Sequence, residues 1–150
     1  YLLHHLNEPK TVLAEMFRVC IPGGVVAVQE PDCAKQYCYP GSWAYERIPE
    51  IYSRLFANPF VGRELFSLFG QLGCPEPHLD VETIAGVNVE LRRSYRMTIE
   101  ATGFALIEKG ILTADELEDL VGEFRRVEEE PGTLCVWSPS FSVWGNPPGH

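Results

Sequence analysis

The sequence predicts an α/β fold in which helices flank a parallel sheet, and three observations predict it. A helix with both ends marked covers residues 7–20, a Pro22-Gly23-Gly24 turn follows it, and Val25-Val26-Ala27-Val28 is apolar at every position. A strand with one face in water alternates apolar and polar side chains. An unbroken apolar run therefore marks a strand covered on both faces, as in a parallel sheet.

Tyr1-Leu2-Leu3 is a short apolar run, read as the end of a strand, and it leads into His4-His5-Leu6. Asn7 is placed as an N-cap, since its side-chain oxygen can accept an orphan N–H of the first turn. Glu8 sets negative charge at the positive end of the helix dipole, and Pro9 is tolerated in a first turn. Val12, Leu13, Met16, Phe17 and Cys20 recur at helical spacing and form one apolar face. The Pro-Gly-Gly turn stops the helix. Gln29, Glu30, Pro31 and Asp32 follow the apolar strand. Ligands of open α/β sheets sit beyond the carboxyl ends of the strands. His4-His5 and Glu30 with Asp32, each just after a strand, are expected on one rim.

Residues 33–41 read as a loop. Residues 42–57 read as an aromatic-rich helix, interrupted near Pro49. Asn58-Pro59 breaks it, and a helix follows over 61–72 with Leu65, Phe66, Leu68, Phe69 and Leu72 on its apolar face. Arg63 opens that helix, where a cation opposes the dipole; plain exposure is the commonest explanation of such a residue. Residues 78–87 partly alternate and read as a strand. A helix is expected over 90–102, stopped by Gly103, with Arg92, Arg93 and Arg96 on a solvated face. Thr113 and Glu116 form a capping box that opens the next helix. Residues 133–144 are the last strand, bent or held to an edge by Pro139, and 145–150 is expected to fray.

The 150 residues correspond to a single domain or part of one, and 45% hydrophobic content is ample for a core. A formal net charge of −9 argues against nucleic acid and anionic membranes as partners. No apolar run reaches membrane-spanning length. Five cysteines without a C-x-x-C pair favour reduced thiols in a cytoplasmic protein over a disulfide framework or a metal centre.

The run HHLNEPKTVLAEMFRVCIPGGVVAVQEPD resembles the second half of class I S-adenosylmethionine-dependent methyltransferases. In that family the end of the fourth strand, a helix ending in Arg-Val-x-x-Pro-Gly-Gly, and the fifth strand occur in this order. The signature stands here as Arg18-Val19-Cys20-Ile21-Pro22-Gly23-Gly24. The resemblance implies the C-terminal part of a Rossmann-like sheet with inserted helices. After the fifth strand it implies a helix and two final strands, the last antiparallel to the rest; 61–72, 78–87 and 134–144 fill those places. It implies one partial domain over 1–150, with 33–73 as helices that cover an acceptor pocket. The family's glycine-rich donor loop has no counterpart, because the chain contains no G-x-G.

The resemblance also implies the chemistry. The cofactor would be S-adenosylmethionine and the acceptor a small, rather apolar molecule. His5 is the candidate base, with His4 beside it, because imidazole titrates near neutrality. His4, His5 and Leu6 are the candidate cofactor contacts, and Glu30, Asp32, Tyr37, Trp43 and Arg63 the candidate acceptor contacts; no metal is expected. With the donor loop missing, the chain alone is expected to be inactive. It would then pair with an N-terminal half or self-associate through the exposed edge of its first strand. The competing reading is a truncated, non-catalytic methyltransferase-fold module that binds a partner protein.

Overall fold

A computed structural model describes residues 1–148; the end of the segment expected to fray, Gly149 and His150, lies outside the described residues. The fold is mixed α/β, and its strands form two small antiparallel sheets. The chain sorts into two compact units. The first contains Tyr1–Ala34, Phe56–Thr83 and the residues from Ser138 on; the second contains Lys35–Leu55 and Ile84–Trp137. The 33–73 segment is thus divided between them.

In the first unit a single 3-10 turn, Leu3–His5, precedes helix α1 (Pro9–Val19) and strand β1 (Val26–Pro31). Helix α3 (Val61–Gln71), strand β3 (His78–Glu82) and strand β6 (Ser140–Gly145) complete it. The strand order is β1-β6-β3. β6 is antiparallel to both neighbours, with Val28 opposite Val143 and Val143 opposite Leu79. β1 and β3 therefore run in the same direction. Leu13 and Phe17 of α1 and Leu65 and Phe69 of α3 pack with Val26 and Val143 in one core. Phe17 and Phe69 meet edge to face, 5.2 Å between centroids. In the turn that leads to β1, Gly23 has φ +77°, a conformation that strongly favours glycine.

Three expectations change here. β1 is not covered on both faces: Val26 and Glu30 are buried while Ala27 and Gln29 are exposed. Its partner is antiparallel, and such sheets can leave one face in water. That outer face is polar; Gln29 donates to Ser142, and His78 stacks on Trp144. Tyr1-Leu2-Leu3 is not a strand end, because the N–H groups of Leu2 and Leu3 turn to a carboxylate. Asn7 does not cap α1; Glu8 holds that position without a side-chain bond.

The second unit holds strand β2 (Tyr37–Tyr39), helix α2 (Trp43–Leu55), strand β4 (Ala85–Gly86), helices α4 (Val89–Glu108) and α5 (Ala114–Glu129), and strand β5 (Leu134–Val136). Its sheet has the order β2-β5-β4. The core centres on Tyr45, Tyr95 and Phe124, whose rings meet at 4.9 and 5.3 Å around Tyr45. Thr113 and Glu116 form the expected capping box.

The sequence underestimates this unit. The 33–41 loop contains β2, and α2 runs through Pro49. The 78–87 strand divides into β3 and β4, which belong to different sheets, and 133–144 divides into β5 and β6 around Pro139. α4 does not stop at Gly103 but continues to Glu108. A Cβ at Gly103 would stand 2.8 Å from Leu117 Cδ2, so this glycine serves close approach of α4 to α5. The arginines of α4 are not simply solvated. Arg92 is buried and donates to the carbonyls of Val87 and Glu128, while Arg93 and Arg96 bind the Glu128 carboxylate at 2.7 and 2.8 Å. The bonds from Arg96 and Arg93 hold the Glu128 carboxyl below its usual value. No helix among the described residues is long and apolar enough to cross a membrane.

Candidate functional site

The site lies in the first unit, where the 3-10 turn meets the end of β1. Val26, Val28 and Glu30 alternate toward the core, so the pleat that buries the valines also buries Glu30, which is 1% exposed. A buried carboxylate needs hydrogen-bond donors. Leu2 and Leu3 donate their backbone N–H groups to Glu30 Oε1, both at 2.6 Å. His4 Nδ1 lies 2.8 Å from Oε2, and the His4 backbone N–H reaches the same oxygen at 3.4 Å. Burial alone would raise the Glu30 pKa; the bonds from His4, Leu2 and Leu3 outweigh it and hold the carboxyl below its usual value.

This carboxylate fixes the histidine. With Nδ1 donating to Glu30, Nε2 is the ring atom that carries the lone pair in neutral His4. Phe56 packs edge-on against both imidazoles, at 4.8 Å from His4 and 5.1 Å from His5, and the two imidazoles lie 3.9 Å apart. His4 is buried and His5 is exposed. Leu6 donates its N–H to the Leu3 carbonyl, and its own carbonyl accepts from the Asn58 side chain. Asn58 N–H also donates to the His4 carbonyl at 2.9 Å. Asn58 thereby holds the turn from the far side. The sequence shows it only as a helix breaker before Pro59; an Asn whose amide is placed to bind backbone was the available signal.

Asp32 forms the second cluster. Its carboxylate accepts Arg63 Nε at 2.7 Å and Nη2 at 2.6 Å, a bidentate pair, and also the Ala34 N–H at 3.1 Å. The Arg63 guanidinium also lies 5.2 Å from the Phe60 ring centroid. This pairing explains a cation at the start of α3. Cys33, next in sequence after Asp32, is buried, and its thiol is pushed up to about 12, chiefly by burial and then by the charges of Asp32 and Glu30. It is a poor nucleophile at neutral pH.

The structure thus brings His4, His5, Leu6 and Glu30 together and joins Asp32 to Arg63. Tyr37 and Trp43 belong to the second unit, in β2 and at the start of α2, and are 54% and 42% exposed. The first cluster can orient an imidazole whose basic nitrogen is defined. The second can hold the end of β1 and the start of α3 in fixed register. The chain was compared with models of protein families and with curated proteins, and it matches none.

Proposed function

We propose that this chain is the acceptor-side portion of a class I S-adenosylmethionine-dependent methyltransferase acting on a small, rather apolar molecule. The observation that carries the reading is the β1-β6-β3 order. The strand after the Pro-Gly-Gly turn and its successor run in one direction, and the last strand is antiparallel between them. This is the ending that the resemblance implies for a Rossmann-like sheet. The chain leaves the first unit once after β1 and once between β3 and β6, where helices are inserted.

When bound, the cofactor supplies an activated methyl group. The residues here fit only an edge of its site. His4 is buried against Glu30, both backbone groups of Leu6 are engaged inside the turn, and the exposed His5 ring packs on His4 and Phe56. Toward an acceptor, His5 would be the base that takes a proton from a hydroxyl or an activated carbon. His4, oriented by Glu30, is its positioning neighbour. Calorimetric titration of this chain with S-adenosylmethionine is expected to give a Kd of roughly 1 mM or weaker; tight binding would overturn the assignment of this chain to the acceptor side.

The coding sequence upstream of Tyr1 provides the direct test. It is expected to encode an apolar strand followed by a G-x-G loop. In the protein of that length, His5→Ala should lower methyl transfer to hydroxylated apolar acceptors by about 100-fold. The melting temperature should hold, because His5 is exposed. Unchanged transfer would reject His5 as the base. A Met codon immediately before Tyr1 would favour the second reading, a non-catalytic module that binds a partner protein, for which the missing G-x-G is the supporting feature.

A further inference from the structure

Helix α4 is buried along one side, where Arg92, Tyr95, Ile99, Gly103 and Leu106 face its own unit. The opposite side carries a second apolar line. Phe104 is 79% exposed, Met97 55% and Ile107 42%. Ala101 is exposed between them. Single exposed apolar residues are ordinary. Met97, Ala101 and Phe104, at i, i+4 and i+7, share one solvent-facing stripe with Ile107 at its flank, a seam of the kind that marks an interaction surface.

We infer that this seam is a self-interaction surface, on which α4 pairs antiparallel with α4 of a second copy. The residues along it determine the register. Met97 and Phe104 are equally far in sequence from the midpoint between Glu100 and Ala101. A twofold axis through that midpoint sets each opposite the other residue type on the partner helix. Arg93 and Glu108 are also equally far from it, so the same axis sets a guanidinium opposite a carboxylate at both ends. An isologous interface must be complementary to itself, and this stripe meets that demand in the antiparallel arrangement. A parallel pairing would set Arg93 on Arg93 and Glu108 on Glu108.

Other features agree. Ala101, beside the axis, is small enough to let two helices approach closely. Arg93 binds Glu128 through Nε, and its side chain is 46% exposed, which leaves it accessible to a second carboxylate. Glu108 is exposed. The surface is separate from the edge of β1 and does not depend on the methyltransferase reading.

Sedimentation velocity over a concentration series of the full chain tests it, and a monomer–dimer equilibrium is the expected result. Phe104→Glu should weaken association at least about tenfold, since it removes the aromatic anchor of the seam. Glu108→Arg, which would face Arg93 of the second copy, should also weaken it. Circular dichroism of both variants should match the unsubstituted chain, because both positions are exposed. Ala101→Cys, next to the axis, should form a covalent dimer on exchange with oxidised glutathione above the level of the unsubstituted chain, whereas Met97→Cys should not. A chain that stays monomeric at every concentration overturns the proposal. So does a dimer indifferent to Phe104→Glu, which would assign association to another surface such as the β1 edge.

Discussion

Glu30→Gln is expected to cost this protein about 3 kcal/mol of stability, read as a fall in the urea midpoint with an unchanged slope. The carboxylate gathers the Leu2, Leu3 and His4 N–H groups and the His4 ring at two oxygens. Glutamine keeps the shape but replaces one oxygen with an NH2 group, which then faces donors. The acid limb of the stability curve gives a second reading of the same residue. The folded-state pKa of Glu30 is depressed, so its contribution is complete above the unfolded-state value and is lost as pH falls through the folded-state one. Unsubstituted protein should therefore lose stability on acidification below the ordinary carboxylate range, and Glu30→Gln should lose less over that interval. Equal urea midpoints for the two proteins at pH 7 would show that the cluster does not hold the turn.

Gly62→Ala should destabilise by about 2 kcal/mol, although alanine favours a helix over glycine by about 1 kcal/mol. A Cβ there would stand 2.6 Å from the Glu30 carbonyl oxygen and 2.7 Å from that of Pro31. Both are backbone atoms at the end of β1, with no rotamer by which to withdraw. The helix must lift instead, and Leu65 and Phe69, both fully buried, lift with it. Gly70 supplies the control on the same helix. Nothing lies within 4 Å of its Cβ position, so Gly70→Ala should stabilise by up to about 1 kcal/mol. Thermal melts of the two alanine variants should shift in opposite directions. Shifts of the same sign would mean that α3 does not rest on β1 as described.

The difference between these glycines was not legible in the sequence, and it shows what sequence reading reaches. Periodicity and local chemistry marked α1, α3 and α5, because each helix writes its buried face in its own residues and Thr113-Glu116 caps α5 locally. His4-His5 and Glu30 with Asp32 were expected on one rim as residues that follow strands; His4 and Glu30 do meet, but His4 stands on a 3-10 turn and Glu30 inside β1. Where a residue answers to a distant neighbour, the local signal misled. Gly103 reads as a helix stop, yet it serves Leu117. Arg63 reads as a surface cation, yet it binds Asp32. Val25 to Val28 read as doubly covered, because hydrophobicity reports that a strand is wanted inside and not how many layers will reach it.

The order of the first sheet has a consequence for the ribosome. β6 is the central strand of the first sheet and the last of its three in chain order, and β1 and β3 do not pair with each other among the described residues. Until residues 140–145 leave the exit tunnel, β1 and β3 lack the strand that pairs with both of them. Their exposed edges invite pairing with other nascent chains through that interval. The sheet closes in one late event, when a single six-residue segment inserts and satisfies both neighbours at once. Premature termination before that segment would leave the earlier strands of the first sheet unpaired.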